Sequence, residues 1–301
     1  GSYIGESFEG WAKRHYPAIV TIDTLDMQDS SWREKDFSPY DTVFHVAGVA
    51  HADVGKGSEE EKNRYYAVNT DLAIEAAGKA KAEGVKQFIL MSSMIIYGDS
   101  APYGKEKAIG GDTLPAPANF YGDSKWQADK GVRALAEGRF RVAVLRPPMV
   151  YGEGSKGNYP VLVKLAKRLP VFPDVENRRS MLYIDNLCEF LCKLVLSGEG
   201  GVYFPQNREY TKTSEMVREI AEASGKKIWV TKLLNPVVWI GSHIPGKVSG
   251  LVDKAFGSCV YSQELSKYDG LKFHVANFQE SILENARSVI NNEWTGNDRA
   301  E

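Results

Sequence analysis

Asn119-Phe120-Tyr121-Gly122-Asp123-Ser124-Lys125 places a phenol and an amine four residues apart. In a helix these two side chains lie on one face, a turn from each other. A phenol titrates near pH ~10 in water and is a poor base at neutrality. A neighbouring ammonium favours phenolate and draws that value down. A buried Tyr/Lys pair in a cleft is therefore a proton-transfer group suited to neutral pH. Standing alone, the spacing is common by chance and also describes an ordinary surface pair on a helix.

The flanks narrow the choice. Upstream, Gln87-Phe88-Ile89-Leu90-Met91-Ser92-Ser93-Met94-Ile95-Ile96-Tyr97-Gly98 holds an apolar, strand-like run that ends in two hydroxyls. Earlier still, Asp41-Thr42-Val43-Phe44-His45-Val46-Ala47-Gly48 reads as a buried strand ending in small residues. Downstream, Arg141-Val142-Ala143-Val144-Leu145-Arg146-Pro147-Pro148 and Val150-Tyr151-Gly152 follow. This succession, from Gly1 to about Gly270, resembles the extended short-chain dehydrogenase/reductase family, and within it the NAD-dependent nucleotide-sugar epimerases and dehydratases. The resemblance implies an α/β fold: a Rossmann-type doubly wound parallel sheet with a smaller C-terminal substrate-binding lobe. The NAD-binding part would take residues 1–150 and about 180–200, the lobe 151–179 and 201–290, and 291–301 would be a disordered polar tail. It also implies roles. Tyr121 is the proton-transfer group, Lys125 lowers its pKa and holds the nicotinamide ribose, and Ser93 is the hydroxyl that aligns the substrate.

The N-terminus reads as the end of a glycine-rich turn feeding a helix: Gly1-Ser2-Tyr3-Ile4-Gly5, then residues 6–15 in helical pattern. In such a turn the backbone approaches a pyrophosphate, which sits on the helix N-terminus. Ser2 stands at the family's middle glycine and Gly5 at its last; Gly1-Ser2 also fits a cloning remnant. Family members carry a strand and a first glycine ahead of this point. The resemblance therefore implies that the first strand is missing and that this chain binds NAD poorly. Residues 18–23 read as a strand ending in Asp23, 18 residues after Gly5. That is close to the ~20 expected of a carboxylate on an adenosine ribose. Such a carboxylate favours NAD over NADP, although a solvated acid at a strand end reads equally well. Asp26-Met27 resembles the family's acid-apolar pair beside the adenine. Gly48 lies only 43 positions after Gly5, short for two complete strand-helix units.

Ala47 and Gly48 are small enough to let a cofactor pass close to the backbone; His51 follows in a loop. Residues 59–83 read as one long amphipathic helix. Asn69 within it matches the family's helical asparagine, read as a structural brace. The likeness puts Pro148 against the cofactor, makes Asn158 a residue on the substrate's diphosphate and sets Arg179 on the diphosphate or the uridine, a task suited to a guanidinium fork. Where the family's dehydratases carry an acid pair after the serine, this chain has Met94 and Ile95, which cannot move protons. Dehydration is therefore disfavoured. Residues 97–117 read as a loop over the cleft. Strands are expected at 140–146, 202–205 and 228–232, with Asp185 capping one helix and Thr213 or Ser214 another.

Composition bounds the rest. The 301 residues are 43% hydrophobic and 25% charged, with net charge −2. These are ordinary globular values, and they give no electrostatic case for nucleic acid. Three cysteines make no disulfide framework and fit a reducing cytoplasm, and no His/Cys spacing suggests a metal. The most apolar run, Leu233-Leu234-Asn235-Pro236-Val237-Val238-Trp239-Ile240, is far short of the ~20 residues of a membrane span. It reads as a core or lobe helix, with a membrane-surface role as the minority reading. The expected activity is a UDP-sugar 4-epimerase with bound NAD, acting in a homodimer by family likeness. The alternatives are an NAD(P)-dependent nucleotide-sugar reductase or dehydrogenase, and a non-catalytic nucleotide-binding relative.

Overall fold

The computed structural model describes residues 2–49 and 58–286. Gly1, His51 and the tail 291–301 lie outside the described residues. In chain order the elements are α1 (Tyr3–His15), β1 (Thr42–His45), α2 (Glu59–Tyr66), α3 (Leu72–Ala82), β2 (Gln87–Met91), β3 (Glu106–Ile109), α4 (Phe120–Arg133), β4 (Arg141–Leu145), β5 (Met149–Tyr151), α5 (Asn158–Arg168), β6 (Val171–Pro173), β7 (Met181–Tyr183), α6 (Ile184–Ser197), β8 (Gly201–Tyr203), α7 (Thr213–Ala223), β9 (Trp229–Thr231), α8 (Asn235–Ser242), α9 (Lys247–Phe256) and β10 (Ser258–Tyr261).

The main sheet runs β1-β2-β4-β8, and every neighbouring pair is parallel. All five residues of β2 are buried, as expected of a strand covered on both faces. The period-2 alternation divides its side chains. Ile89 and Met91, with Ala143 and Leu145 of β4, enter one apolar cluster with Phe8 and Trp11 of α1 and Leu187, Phe190 and Leu191 of α6. Phe88 and Leu90, with Val142 and Val144, enter a second cluster with Ala73, Ala76 and Ala77 of α3 and Ala128 and Val132 of α4. Helices thus cover both faces, the doubly wound Rossmann-like arrangement. Three parallel two-stranded pairs, β3–β10, β5–β7 and β6–β9, build the rest.

Local chemistry sets the helix ends. Ser2 caps α1, its hydroxyl accepting the Gly5 N–H at 3.1 Å, with Glu6 in the first turn and Lys13, Arg14 and His15 in the last. Phe8, Trp11 and Ala12 form its buried stripe. Gln87 looks out of place in an apolar strand. Its side chain is satisfied by the carbonyls of Leu194 and Glu199 at 3.0 and 2.8 Å and by the Thr42 hydroxyl at 2.9 Å.

Several expectations need correction. Residues 18–23 form no strand. The Tyr16 carbonyl accepts the N–H groups of both Ile19 and Val20, so the chain turns there and then runs with no strand alongside among the described residues. The strand-like run from Gln87 stops as a strand at Met91, and residues Met94–Tyr97 form a 3-10 turn headed by Ser93. The loop 97–117 contains a strand, β3, because β10 returns to pair with it. The helix 59–83 is interrupted at Ala67–Asp71 by a π-turn. Asp185, Thr213 and Ser214 are not caps but lie inside the first turns of α6 and α7. The run Leu233 to Ile240 is not a core helix, for α8 buries no side chain.

Candidate active site

Three segments meet at the C-terminal end of β2, the edge where parallel α/β sheets bind ligands. The first is α4. Asn119 caps it, its side-chain oxygen accepting the Gly122 N–H at 2.9 Å. Tyr121 and Lys125 then follow on successive turns of one face. The second is the 3-10 turn after Ser93, whose hydroxyl accepts the Ile95 N–H at 3.3 Å. The absence of a side chain at Gly122 lets the two lie close: a Cβ there would stand 2.9 Å from the Ile95 carbonyl oxygen. The third is the segment leaving β1, with Ala47 half-buried and Gly48 exposed.

Lys125 joins all three. Its Nζ donates to the Met91 carbonyl at 3.3 Å, two residues before Ser93. A Cβ at Gly48 would lie 2.9 Å from that Nζ and 3.0 Å from Asn69 Oδ1. Asn69 braces the junction, as expected. It accepts the Val49 N–H at 2.8 Å and donates to the Val49 carbonyl at 3.1 Å and the Ser124 hydroxyl at 3.0 Å. The π-turn carries this side chain between the segment leaving β1 and α4. Thr70, its neighbour, donates to the Ser124 carbonyl at 2.7 Å.

Burial dominates the electrostatics. It brings the Lys125 ammonium down to about 8. It pushes the Tyr121 phenol up to about 12, with Tyr65, edge-to-face at 5.8 Å, adding a smaller push. The expected lowering of the phenol by Lys125 is therefore not what sets it in this structure; desolvation outweighs it. His45, at the end of β1, is buried and held neutral, brought down to about 3 by burial and then by the Lys125 charge.

One network was not legible in advance. Asp129, a turn beyond Lys125, is fully buried and receives Arg146 Nε at 2.8 Å and Nη2 at 3.0 Å, with Arg133 Nε at 2.7 Å. Arg146 Nη1 also donates to the Tyr97 hydroxyl at 2.7 Å. The pair bolts α4 to the end of β4 and to the Ser93 turn. The available signal was the third member of the series Tyr121, Lys125, Asp129 on one helical face.

A nicotinamide dinucleotide fits these residues. Glycine at position 48 keeps the space beside Lys125 open, and the first-turn N–H groups of α1 have no acceptor within their own helix. Ser2 occupies one of those groups, that of Gly5. Ile4 is half-buried against the larger cluster. The Tyr3 hydroxyl is buried without a partner, beside Gly152. Gly48→Ala places a methyl against Lys125 and Asn69. It is expected to weaken NAD binding by about ten-fold or more while the melting temperature changes little, as titration calorimetry would read. Pro148 is buried at the end of β4. Met27 packs half-buried on the second cluster. Asp26 accepts the Gln28 N–H at 3.0 Å. Asp23 is not at a strand end, and its carboxylate takes the Tyr40 hydroxyl at 2.5 Å. Of the two residues expected on the substrate, Asn158 opens α5 and is exposed. Arg179 lies between β6 and β7, bridged by backbone to Thr211 and Cys259. Its Nη1 donates to the Lys254 carbonyl at 2.5 Å, and burial lowers its pKa. Among the described residues no group of three or more His, Cys, Asp or Glu could hold a metal, and no helix is long and apolar enough to cross a membrane.

Residues 6–204 match the model of the NAD dependent epimerase/dehydratase family. A UDP-glucose 4-epimerase of Vibrio cholerae is 33% identical over 193 residues, 62% of this chain and 58% of that protein, so the match spans less than two thirds of the relative. The N-acetyl-alpha-D-glucosaminyl-diphospho-ditrans,octacis-undecaprenol 4-epimerase of Escherichia coli O157:H7 is 26% identical over 275 residues, 87% of this chain and 79% of that protein. Among solved structures, UDP-N-acetylglucosamine 4-epimerase from Bacillus cereus superposes with a TM-score of 0.67 at 15% identity, covering 95% of each chain; that likeness speaks for the fold alone.

Proposed function

The chain belongs to the NAD dependent epimerase/dehydratase family, and from that premise we propose that it is a 4-epimerase of a sugar joined to a diphosphate, with a UDP-sugar as the expected substrate. The observation that carries the reading is the meeting of Tyr121, Lys125 and the Ser93 turn at the end of β2, through the Lys125–Met91 bond and the close approach at Gly122. NAD, when bound, supplies the acceptor and donor of the hydride at C4. Tyr121 takes the proton from the C4 hydroxyl as the C4–H electron pair departs, and returns it when a hydride comes back to the opposite face of the 4-keto sugar. Protons and electrons balance over the cycle. Ser93 holds the C4 oxygen, and the Lys125 charge stabilises the phenolate in a site where water would otherwise do so. Ala47 and Gly48 flank the cofactor, the first turn of α1 takes its pyrophosphate, and Arg179 and Asn158 hold the substrate diphosphate. Met94 and Ile95, in the turn beside Ser93, offer no group that could expel water. This supports epimerisation over dehydration.

The test is incubation with NAD and a panel of UDP- and dTDP-sugars, with products read by NMR and mass. An epimerase shifts the isomer ratio with no net change in reduced-nicotinamide absorbance. Stoichiometric oxidation or reduction of the nicotinamide would make it a dehydrogenase or reductase instead.

The pH profile carries a second expected result. Activity requires Tyr121 to lose its proton, so kcat/KM rises with pH while the phenolate fraction grows. Lys125, charged below about 8, loses its stabilising charge above that value, and the profile turns over there. Lys125→Arg keeps a cation through this range, so the upper limb disappears from a slower enzyme assayed from about pH 6 to about pH 10.

A further inference from the structure

The α8–α9 hairpin presents an apolar face that no described residue covers. No α8 side chain is buried, and α9 buries only Phe256. The helices close on each other at Gly241, where a Cβ would lie 3.4 Å from Val252 and 3.7 Å from Val248. Val238, Val252 and Ala255 pack inward on the larger cluster. Leu233, Val237, Ile240 and Ile244 recur at helical spacing, and with Trp239 and Leu251 they stand exposed, Val237 and Leu251 each at 66%. Apolar surface of this extent marks an interaction site.

Charge selects the occupant. Residues 226–254 carry five lysines and one acid, Asp253, in a chain whose net charge is −2. The carboxylate of Asp253 turns inward to accept the Tyr103 N–H at 2.8 Å. Lys232, Lys247 and Lys254 are exposed around the apolar face. A second copy docking by two-fold symmetry would set this basic rim against itself. An anionic bilayer meets both features: the apolar side chains enter the headgroup–acyl boundary, Trp239 suits that interface, and the lysines reach the phosphates.

The hairpin also touches a residue assigned to the substrate under the 4-epimerase reading. Lys254 supplies the carbonyl that Arg179 holds. From α9 the chain enters β10, where Cys259 Sγ lies 3.7 Å from the sulfur of Met94, next to Ser93. We propose that the α8–α9 face seats on an anionic lipid bilayer and that, beside a soluble UDP-sugar, a sugar diphosphate carried by a lipid of that bilayer is turned over there. The substrate half rests on the 4-epimerase reading.

The test uses the full chain with phosphatidylcholine vesicles, with and without phosphatidylglycerol, and the variant Val237→Glu/Ile240→Glu/Leu251→Glu. These side chains are exposed, so the variant keeps the melting temperature and the turnover of a soluble nucleotide sugar. The wild type is expected to float with anionic vesicles about ten-fold more tightly than with neutral ones and to be released by salt, and the variant to lose about ten-fold or more. A wild type that stays unbound, or a variant that floats equally well, overturns the docking. So does a vesicle-free dimer that only the variant breaks, because a second copy then covers the face. For the substrate half, a polyprenyl-diphosphate sugar in vesicles is expected to turn over about ten-fold faster with the wild type than with the variant. Turnover of the soluble sugar alone overturns that half. Turnover of neither sugar overturns the epimerase reading, with flotation still deciding the docking.

Discussion

Tyr121→Phe is expected to lower kcat by about 10²–10⁴-fold, the usual contribution of a positioned general base, while NAD affinity stays within about two-fold of the wild type. Phenylalanine keeps the ring, and with it the edge-to-face packing against Tyr65, so the fold of α4 is unaffected. What disappears is the only atom of this side chain able to exchange a proton with the sugar. The loss falls on kcat because the interaction is made only as charge develops on the C4 oxygen. Turnover within about five-fold of the wild type would remove Tyr121 from the chemistry and transfer the proton to another group.

Asp129→Ala is expected to cost about 3–5 kcal/mol of stability, because one partner of a buried ion pair is removed and the other charge remains. Asp129 is wholly buried and Arg146 nearly so. The guanidinium is boxed by the rings of Tyr97, Trp126 and Phe204 at 5.5–5.7 Å. Left without its carboxylate, it keeps the Tyr97 hydroxyl and little else. The urea midpoint reads the loss. The double variant Asp129→Leu/Arg146→Met, which removes both buried charges and leaves the part-exposed Arg133 to water, is expected to recover most of it. A single-variant loss below about 1 kcal/mol would mean that water reaches Arg146. Because the pair anchors the helix carrying Tyr121 and Lys125, the double variant is expected to stay folded yet lose about ten-fold or more in kcat.

The strands at β2 and β4 are legible from sequence because burial on both faces demands an unbroken apolar run, and local composition records that demand. The 18–23 segment carries the same kind of residues, yet a strand exists only where a neighbour supplies hydrogen bonds, and that neighbour is not a local property. β3 is hidden in the sequence for the converse reason. Its residues look like loop, and its partner β10 lies about 150 residues away, the registered pair being Glu106 and Ser258. The fate of α8 was equally hidden, since an apolar run says how much surface is to be buried but not against what.

In the site, spacing alone put Tyr121 and Lys125 on one face, since helical periodicity is a property of four consecutive bonds. A serine at the end of an apolar run could also be read directly. The sequence by itself thus determined the parallel α/β sheet, the phenol–amine pair and the absence of an acid beside Ser93. Only the tertiary structure decided that Lys125 rests on the Met91 carbonyl under Gly48, that Asp129 meets Arg146, and that burial sets the protonation of both members of the pair. Hydrogen bonding across segments and desolvation depend on which distant residues become neighbours, and local composition does not encode that.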